Sequence, residues 1–443
     1  MICLSDDVAA SADGAAMRQV FGAKASVAHI MAFEAALAQA QARRGMIPEA
    51  AATDIAGKAT LDHFDQGLWA NQRAALGHPL VSVLETWTTR LEPASREWLH
   101  YGATTADLFN TVLVLQLQAA GQLMLARMAK VESRLVALAT AHRSTPMVAR
   151  TLGRHAQPIT FGMKVATLLA EHRRSMERLA GWLQRYRTGI LSGAVGTYAA
   201  LGKEGPAIER EVMAALRLGP PEAVDWKGSR DRFAEFGCAV ALAARTCGHI
   251  GQEVFLLSGD DIDELREGTV AVGSSTMPHK SNPVLSIDIV SRSREVSARL
   301  APLMEWVLIV YDRDSAQHGD VLRDLCVGMA DLLSNLDHLL AGLVVLPQNM
   351  TANLQRSGGM VLSEALTFAL AQRVGKRTAY AAMKRVMQAA SEQACTLAEA
   401  AARSPEFSAL LAEHPDLLDE ARQVGRAPSI VDAAVASMCA NAA

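Results

Sequence analysis

The chain has 443 residues, half of them hydrophobic and 20% charged, with a formal net charge of −3. That length accommodates two or three domains with a sizeable core, and the charge provides no basic surplus for nucleic acid or an anionic membrane. Six cysteines are scattered without a C-x-x-C pair, which argues against a zinc site or a disulfide framework and fits a reducing cytoplasm.

At the start of the chain, Met1-Ile2-Cys3-Leu4 leads directly into Asp6-Asp7, without the basic and apolar regions of a secretory signal. No uninterrupted apolar run reaches the roughly 18 residues of a membrane span, so the expected location is the cytoplasm, with no membrane contact. Aromatics are 5% of the chain and helix formers dominate, while β-branched alternation is nearly absent, which predicts an all-α fold.

Residues 1–99 read as a small helical domain of short segments, broken at Gly45, Pro48, Gly77-His78-Pro79 and Pro93. Residues 100–346 read as a central bundle of long helices. No proline falls between Thr111 and Ala141, where Met124, Met128, Val131, Leu135 and Leu138 share one helix face and Arg127, Lys130 and Arg134 point elsewhere. Similar proline-free stretches run over 159–205, 222–277 and 303–346, with turns expected inside some of them, as at 189–196. Such helices pack side by side. Apolar character on more than one side, at 112–117 and 240–244, predicts burial between subunits. Residues 347–443 read as a second small helical domain, broken near Pro405, Pro415 and Pro428.

Four segments place polar residues and glycine where a bundle is otherwise apolar. In 273–283, Ser274 and Ser275 follow Gly273, and Pro278 and Pro283 bracket His279, Lys280 and Asn282. The prolines preclude a continuous helix. The residue types suit an anionic substrate: Lys supplies charge, Asn an amide donor, and a hydroxyl a base or donor. In 151–162, His155 lies shortly before Pro158, which is read as opening the following helix near an anion-binding N-terminus; a lone histidine is also commonly structural. In 100–107, Thr104 and Thr105 precede a long helix and serve either as caps or, with free backbone N–H groups, as a carboxylate site. In 229–232, Arg230 and Arg232 flank Asp231 as a solvated charge cluster or as a carboxylate clamp.

Taken together, these segments resemble the fumarase/aspartase superfamily over most of the chain, with 273–283 matching its signature loop. The runs SGAVGTYA at 192–199 and GRHAQPITFG at 153–162 resemble the adenylosuccinate lyase branch. MAFEAALAQAQARRGMIP, within 17–48, and RDRFAEF at 230–236 resemble bacterial 3-carboxy-cis,cis-muconate cycloisomerase. The resemblance implies a homotetramer with a twenty-helix core, active sites shared among three subunits, a small dicarboxylate-type substrate, and no metal or organic cofactor. It assigns Ser274 as the general base that removes a proton beside a carboxylate. Lys280 and Asn282 then stabilise the resulting aci-carboxylate, and His155 acts as general acid. Thr104 and Thr105 become carboxylate-binding hydroxyls, with His100 and His78 as supporting histidines; Ser275 and Arg230 complete the candidate substrate-binding residues.

The implied reaction is β-elimination from a substituted succinate, with a C–N bond as the expected bond broken, releasing fumarate. The alternatives are intramolecular lactonisation by a muconate cycloisomerase, an adenylosuccinate lyase, and a non-catalytic structural member. Two departures bear on substrate. The start of the chain lacks the nucleotide-binding motif of adenylosuccinate lyases, and Asp320 stands where a phosphate would lie. The Trp-His-Ala-Glu-Trp-type stretch of the cycloisomerases is also missing from the same region as Asp320. A substituted succinate smaller than a nucleotide satisfies both.

Overall fold

The computed structural model describes residues 11–268, 276–277, 279–313 and 318–441. Among them helices dominate, and strands are confined to two short antiparallel pairs, an addition to the all-α expectation. The longest helices are Thr105–Ala141, Phe161–Arg185, Asp231–Leu257 and Gly319–Gly342. The seam expected on the first of these is present: Met124, Met128, Val131 and Leu135 are each at most 1% exposed, while Lys130 and Arg134 face outward. Prolines act as helix starters, at the first turn of Pro79–Thr88, Pro93–Arg96, Pro347–Gln355 and Pro405–Glu413.

By internal contacts the chain forms two compact units. The first comprises Met1–Arg127, Ser175–Arg245 and Arg292–Ser334, and the second Met128–Arg174, Thr246–Ser291 and Asn335–Ala443. In the first unit, the helix Ala23–Arg43 contributes Val27, Ile30, Met31, Phe33 and Leu37 to a core shared with Leu80, Val83 and Trp87. The helix Gly205–Ala215 adds Ile208 and Val212 to it. Trp87 is fully buried and its Nε1 donates to the Lys58 carbonyl at 3.1 Å. Truncating such a residue to alanine costs about 3–5 kcal/mol.

In the second unit, Pro146–Thr151 pairs antiparallel with Arg154–Thr160, placing Val148 opposite Pro158 and Arg150 opposite His155. The following helix begins at Phe161, not at Pro158, so the expectation of His155 at a helix N-terminus is corrected. A proline is tolerated at the edge of a two-stranded ribbon because its missing N–H has no ladder partner to lose. A second ribbon pairs Leu265–Glu267 with Leu343–Val345. The C-terminal helices close a separate core around Leu366, Leu370, Val386, Leu397 and Phe407.

Two helical stretches, Ala12–Arg43 and Thr105–Ala141, are long and apolar enough by length and composition to cross a membrane. Neither stretch holds an uninterrupted apolar run of that length, since polar and charged residues such as Lys24, Glu34, Gln116 and Arg127 interrupt them. The most apolar window is 39% buried within the protein in the first stretch and 56% in the second.

Candidate active site

In the first unit a cavity of about 640 Å³ opens at the start of the Thr105–Ala141 helix. Its polar lining includes His78, Thr104, Thr105, Lys227, Arg230 and Arg313, and its apolar wall includes Ile30, Phe109, Val112 and Leu113. Thr104 is positioned reciprocally: its N–H donates to Asp107 Oδ2 at 3.0 Å, and the Asp107 N–H donates to the Thr104 carbonyl at 2.9 Å. The Asp107 side chain thus supplies the reach-back half of a capping box, while its own N–H is taken by the Thr104 backbone carbonyl. The first-turn amides of Thr105 and Ala106 have no intrahelical acceptor by position, and both residues line the cavity. Arg313 Nη1 lies 3.5 Å from Thr104 Oγ1.

His78 caps the helix Pro79–Thr88, its Nδ1 accepting from the Val81 N–H at 3.3 Å. An accepting Nδ1 leaves the ring proton on Nε2, a donor suited to a carboxylate. His100 is not part of the cavity lining; its backbone is at φ 61°, in the left-handed region. Its N–H donates to Glu34 Oε2 at 3.0 Å and its Nδ1 lies 2.6 Å from Glu34 Oε1. Burial disfavours a charged ring there, but the hydrogen bond and charge of Glu34 outweigh it and the His100 pKa is raised.

The segment 229–232 does not form a solvated cluster. Arg230 and Arg232 are 7% and 3% exposed. Arg232 stacks over the Trp226 ring at 3.9 Å and its Nη2 bonds Glu222 at 2.9 Å, a structural role, whereas Arg230 lines the cavity. Lys227 and Arg313 also line the cavity and were not singled out from sequence. The only signal for Lys227 was its place three residues before Arg230.

In the second unit, Lys280 and Asn282 share a cavity of about 950 Å³ with His279, Met277, Asp263 and Glu267. Ser274 and Ser275 lie outside the described residues. Glu267 accepts from the N–H groups of Leu285 and Ser286 at 3.1 and 2.7 Å and from Ser286 Oγ at 2.5 Å. It thereby caps the helix Val284–Ala298 from the strand that precedes 268–283. A Cβ on Gly268 would meet the Gly342 carbonyl oxygen at 2.1 Å, so no other residue fits there.

His155 is exposed on the hairpin and is not part of that cavity lining. Opposite it, Arg150 makes two bonds to the fully buried Glu264, at 3.0 and 2.8 Å, and Asn353 donates to the same carboxylate at 2.9 Å. Partial desolvation, then the charges of Arg150 and Arg356, hold the His155 pKa below its ordinary value. Among the described residues no group of three His, Cys, Asp or Glu is placed to hold a metal.

Long helices with a hydroxyl- and guanidinium-lined cavity at one helix start give a lining chemically suited to carboxylates. A family model described as Lyase matches residues 10–296. An N-acetyl-S-(2-succino)cysteine lyase of Enterococcus italicus is 37% identical over 83% of this chain and 81% of its own length. A 3-carboxy-cis,cis-muconate cycloisomerase of Pseudomonas aeruginosa is 33% identical over 95% and 94%. The crystal structure of a fumarate lyase from Mesorhizobium sp. BNC1 matches with a TM-score of 0.87 at 30% identity, covering 95% of this chain and 97% of that one. The chain belongs to the fumarase/aspartase superfamily of lyases and related cycloisomerases, and is an enzyme.

Proposed function

We propose that the protein catalyses β-elimination from a substituted succinate, releasing fumarate through an aci-carboxylate. The observation that carries this reading is the first-unit cavity, where Thr104 and Thr105 at a helix start stand with His78, Arg230 and Arg313 beside an apolar wall. One carboxylate is held by hydroxyls and first-turn amides, and a second by guanidinium. The apolar wall takes the substituent. In this scheme Ser274 removes the proton beside a carboxylate, and Lys280, Asn282 and Ser275 meet the charge that develops. The scheme includes a homotetramer with a twenty-helix core, each site combining segments of three subunits. The three-part division at 1–99, 100–346 and 347–443 goes with that assembly.

His155 would protonate the leaving atom. An amine must leave protonated and so depends on that acid. A thiolate leaves with far less help, since a thiol has a pKa of about 8.5. The reading therefore extends from a C–N bond to a C–S bond, and N-acetyl-S-(2-succino)cysteine, the compound named for the Enterococcus relative, is the first substrate to try.

The test is to supply this thioether, succinyl amines and 3-carboxy-cis,cis-muconate in parallel, following fumarate and muconate by ultraviolet absorbance. Fumarate formed from a substituted succinate supports the reading. Rapid loss of muconate without fumarate from any succinate would instead support lactonisation, the activity named for the Pseudomonas aeruginosa relative.

A further inference from the structure

The run at 192–199 has no role in the proposed chemistry and does not line the first-unit cavity, yet it is bonded to Asp107 in the first turn of the helix whose start does. Asp107 is fully buried and accepts from four donors. These are the N–H groups of Thr104 at 3.0 Å, Ser192 at 3.2 Å and Gly193 at 3.1 Å, and Lys227 Nζ at 2.8 Å. Three stretches distant in sequence thus meet on one carboxylate: the helix start at 104–107, the turn at 192–193 and the segment 225–227. Gly196, at φ +81°, belongs to the same arrangement, because a Cβ there would lie 2.5 Å from the Asp225 Cβ. Glu209 holds the turn from behind, accepting from the Leu191 N–H at 2.8 Å and from the Tyr198 hydroxyl.

The Lys227 side chain lines the cavity but is only 2% exposed. An ammonium has three donors, and all three are engaged: with Asp107 Oδ1 at 2.8 Å, Ser192 Oγ at 2.7 Å and Asp225 Oδ2 at 2.5 Å. None is left for a substrate oxygen. Lys227 instead lies between Asp107 and Asp225 and offsets the carboxylate charge in the first turn of the helix whose start lines the cavity. Breaking such a buried pair leaves a lone charge in a low-dielectric setting.

We propose that Lys227 and Asp107, cradled by the Ser192-Gly193 turn, form a positioning pair that fixes Thr104 and Thr105 and keeps the cavity receptive to dicarboxylates. This deepens the proposed function and rests on it. Lys227 is a positioning residue and touches no reacting atom.

The test compares wild type with Lys227→Met, Asp107→Asn and the double variant, with Ser192→Ala as a milder change that removes one of the three Lys227 bonds. Succinate binding is measured by calorimetry alongside KM and kcat for whichever substrate is turned over. Lys227→Met is expected to weaken succinate binding and raise KM about tenfold or more, with a smaller effect on kcat. The double variant removes the helix-start carboxylate along with its cation and leaves only Asp225, which is partly exposed, so it should recover much of the binding; Ser192→Ala should show a shift of two- to threefold in the same direction as Lys227→Met. If Lys227→Met is too unstable to purify, the Ser192→Ala shift decides the matter. Unchanged succinate binding in Lys227→Met, or in Ser192→Ala when that is the deciding variant, would overturn the positioning role. So would a double variant no better than the single. Failure of wild type itself to bind succinate would overturn the substrate reading instead.

Discussion

The two cavities that hold candidate residues are built on different principles. In the first unit the polar lining rests on a buried ion pair and backbone donors: Asp107 is fully buried and holds both Thr104 and Lys227 in place. In the second unit Lys280 is exposed and Asn282 only partly buried. Their segment is secured at its edges, by the pairing of Leu265–Glu267 with Leu343–Val345 and by the Glu267 cap. Groups that only bind gain from being rigid before substrate arrives, since rigidity cuts the entropy lost on binding. Groups that meet a charge appearing during reaction need placement relative to the transition state. The difference predicts that substitutions in the first cavity act on KM, and those around 268–283 on kcat.

The largest effect belongs to the second region. Ser274→Ala should lower kcat roughly a thousandfold with KM nearly unchanged, as expected for loss of a general base; an unchanged steady-state rate would remove Ser274 from the mechanism. In the first region, Thr104→Ala should raise KM roughly tenfold, the value of a hydrogen bond to a charged partner. A fall confined to kcat would erase the contrast between the two cavities. Next comes Glu267→Gln, which weakens the cap. It should cost about 1 kcal/mol in chemical denaturation and lower kcat more than it changes KM, while Glu49→Gln at an exposed helix start should leave both constants alone.

The smallest effects are in pH dependence, and the two units differ in sign. The His100 pKa is raised, so its stabilising contribution is complete below pH 6.5 and is lost as pH rises through the folded-state value. His155 is lowered, so the unfolded chain protonates first and stability falls as pH drops below 6.5 toward the depressed value. In thermal melts, the advantage of wild type over His100→Asn should shrink with rising pH. Wild type should lose ground to His155→Asn with falling pH. Parallel trends would show that Glu34 does not govern His100.

Much of this was legible in sequence because it is local. Proline and glycine marked the breaks at Pro48, Gly77-His78-Pro79, Pro93 and Pro405, and the 3.6-residue period marked the seam from Met124 to Leu135. The signature run and Thr104-Thr105 could be read as candidates because residue type alone suggests their chemistry. Pro158 misled because a proline that opens a helix and one at a ribbon edge look the same without the partner strand. Arg232 was ambiguous because only its stacking on Trp226 shows it to be structural. Lys227 was missed for a deeper reason: its acceptors Asp107 and Ser192 lie 120 and 35 residues away, and no periodicity links them.

That separation has an evolutionary corollary. Because Lys227 spends every donor inside the protein, selection on substrate choice does not act on it directly, and nearby residues such as Phe109 and Leu113 are freer to drift toward a new leaving group. The pair itself is under the opposite constraint. Replacing Lys227 alone strands both Asp107 and Asp225 without their cation, whereas replacing Asp107 alone leaves Lys227 paired with Asp225, so position 227 should change only together with 107 or not at all. Among relatives that act on different succinates, the wall of the cavity is expected to vary while the Asp107 and Lys227 positions stay fixed.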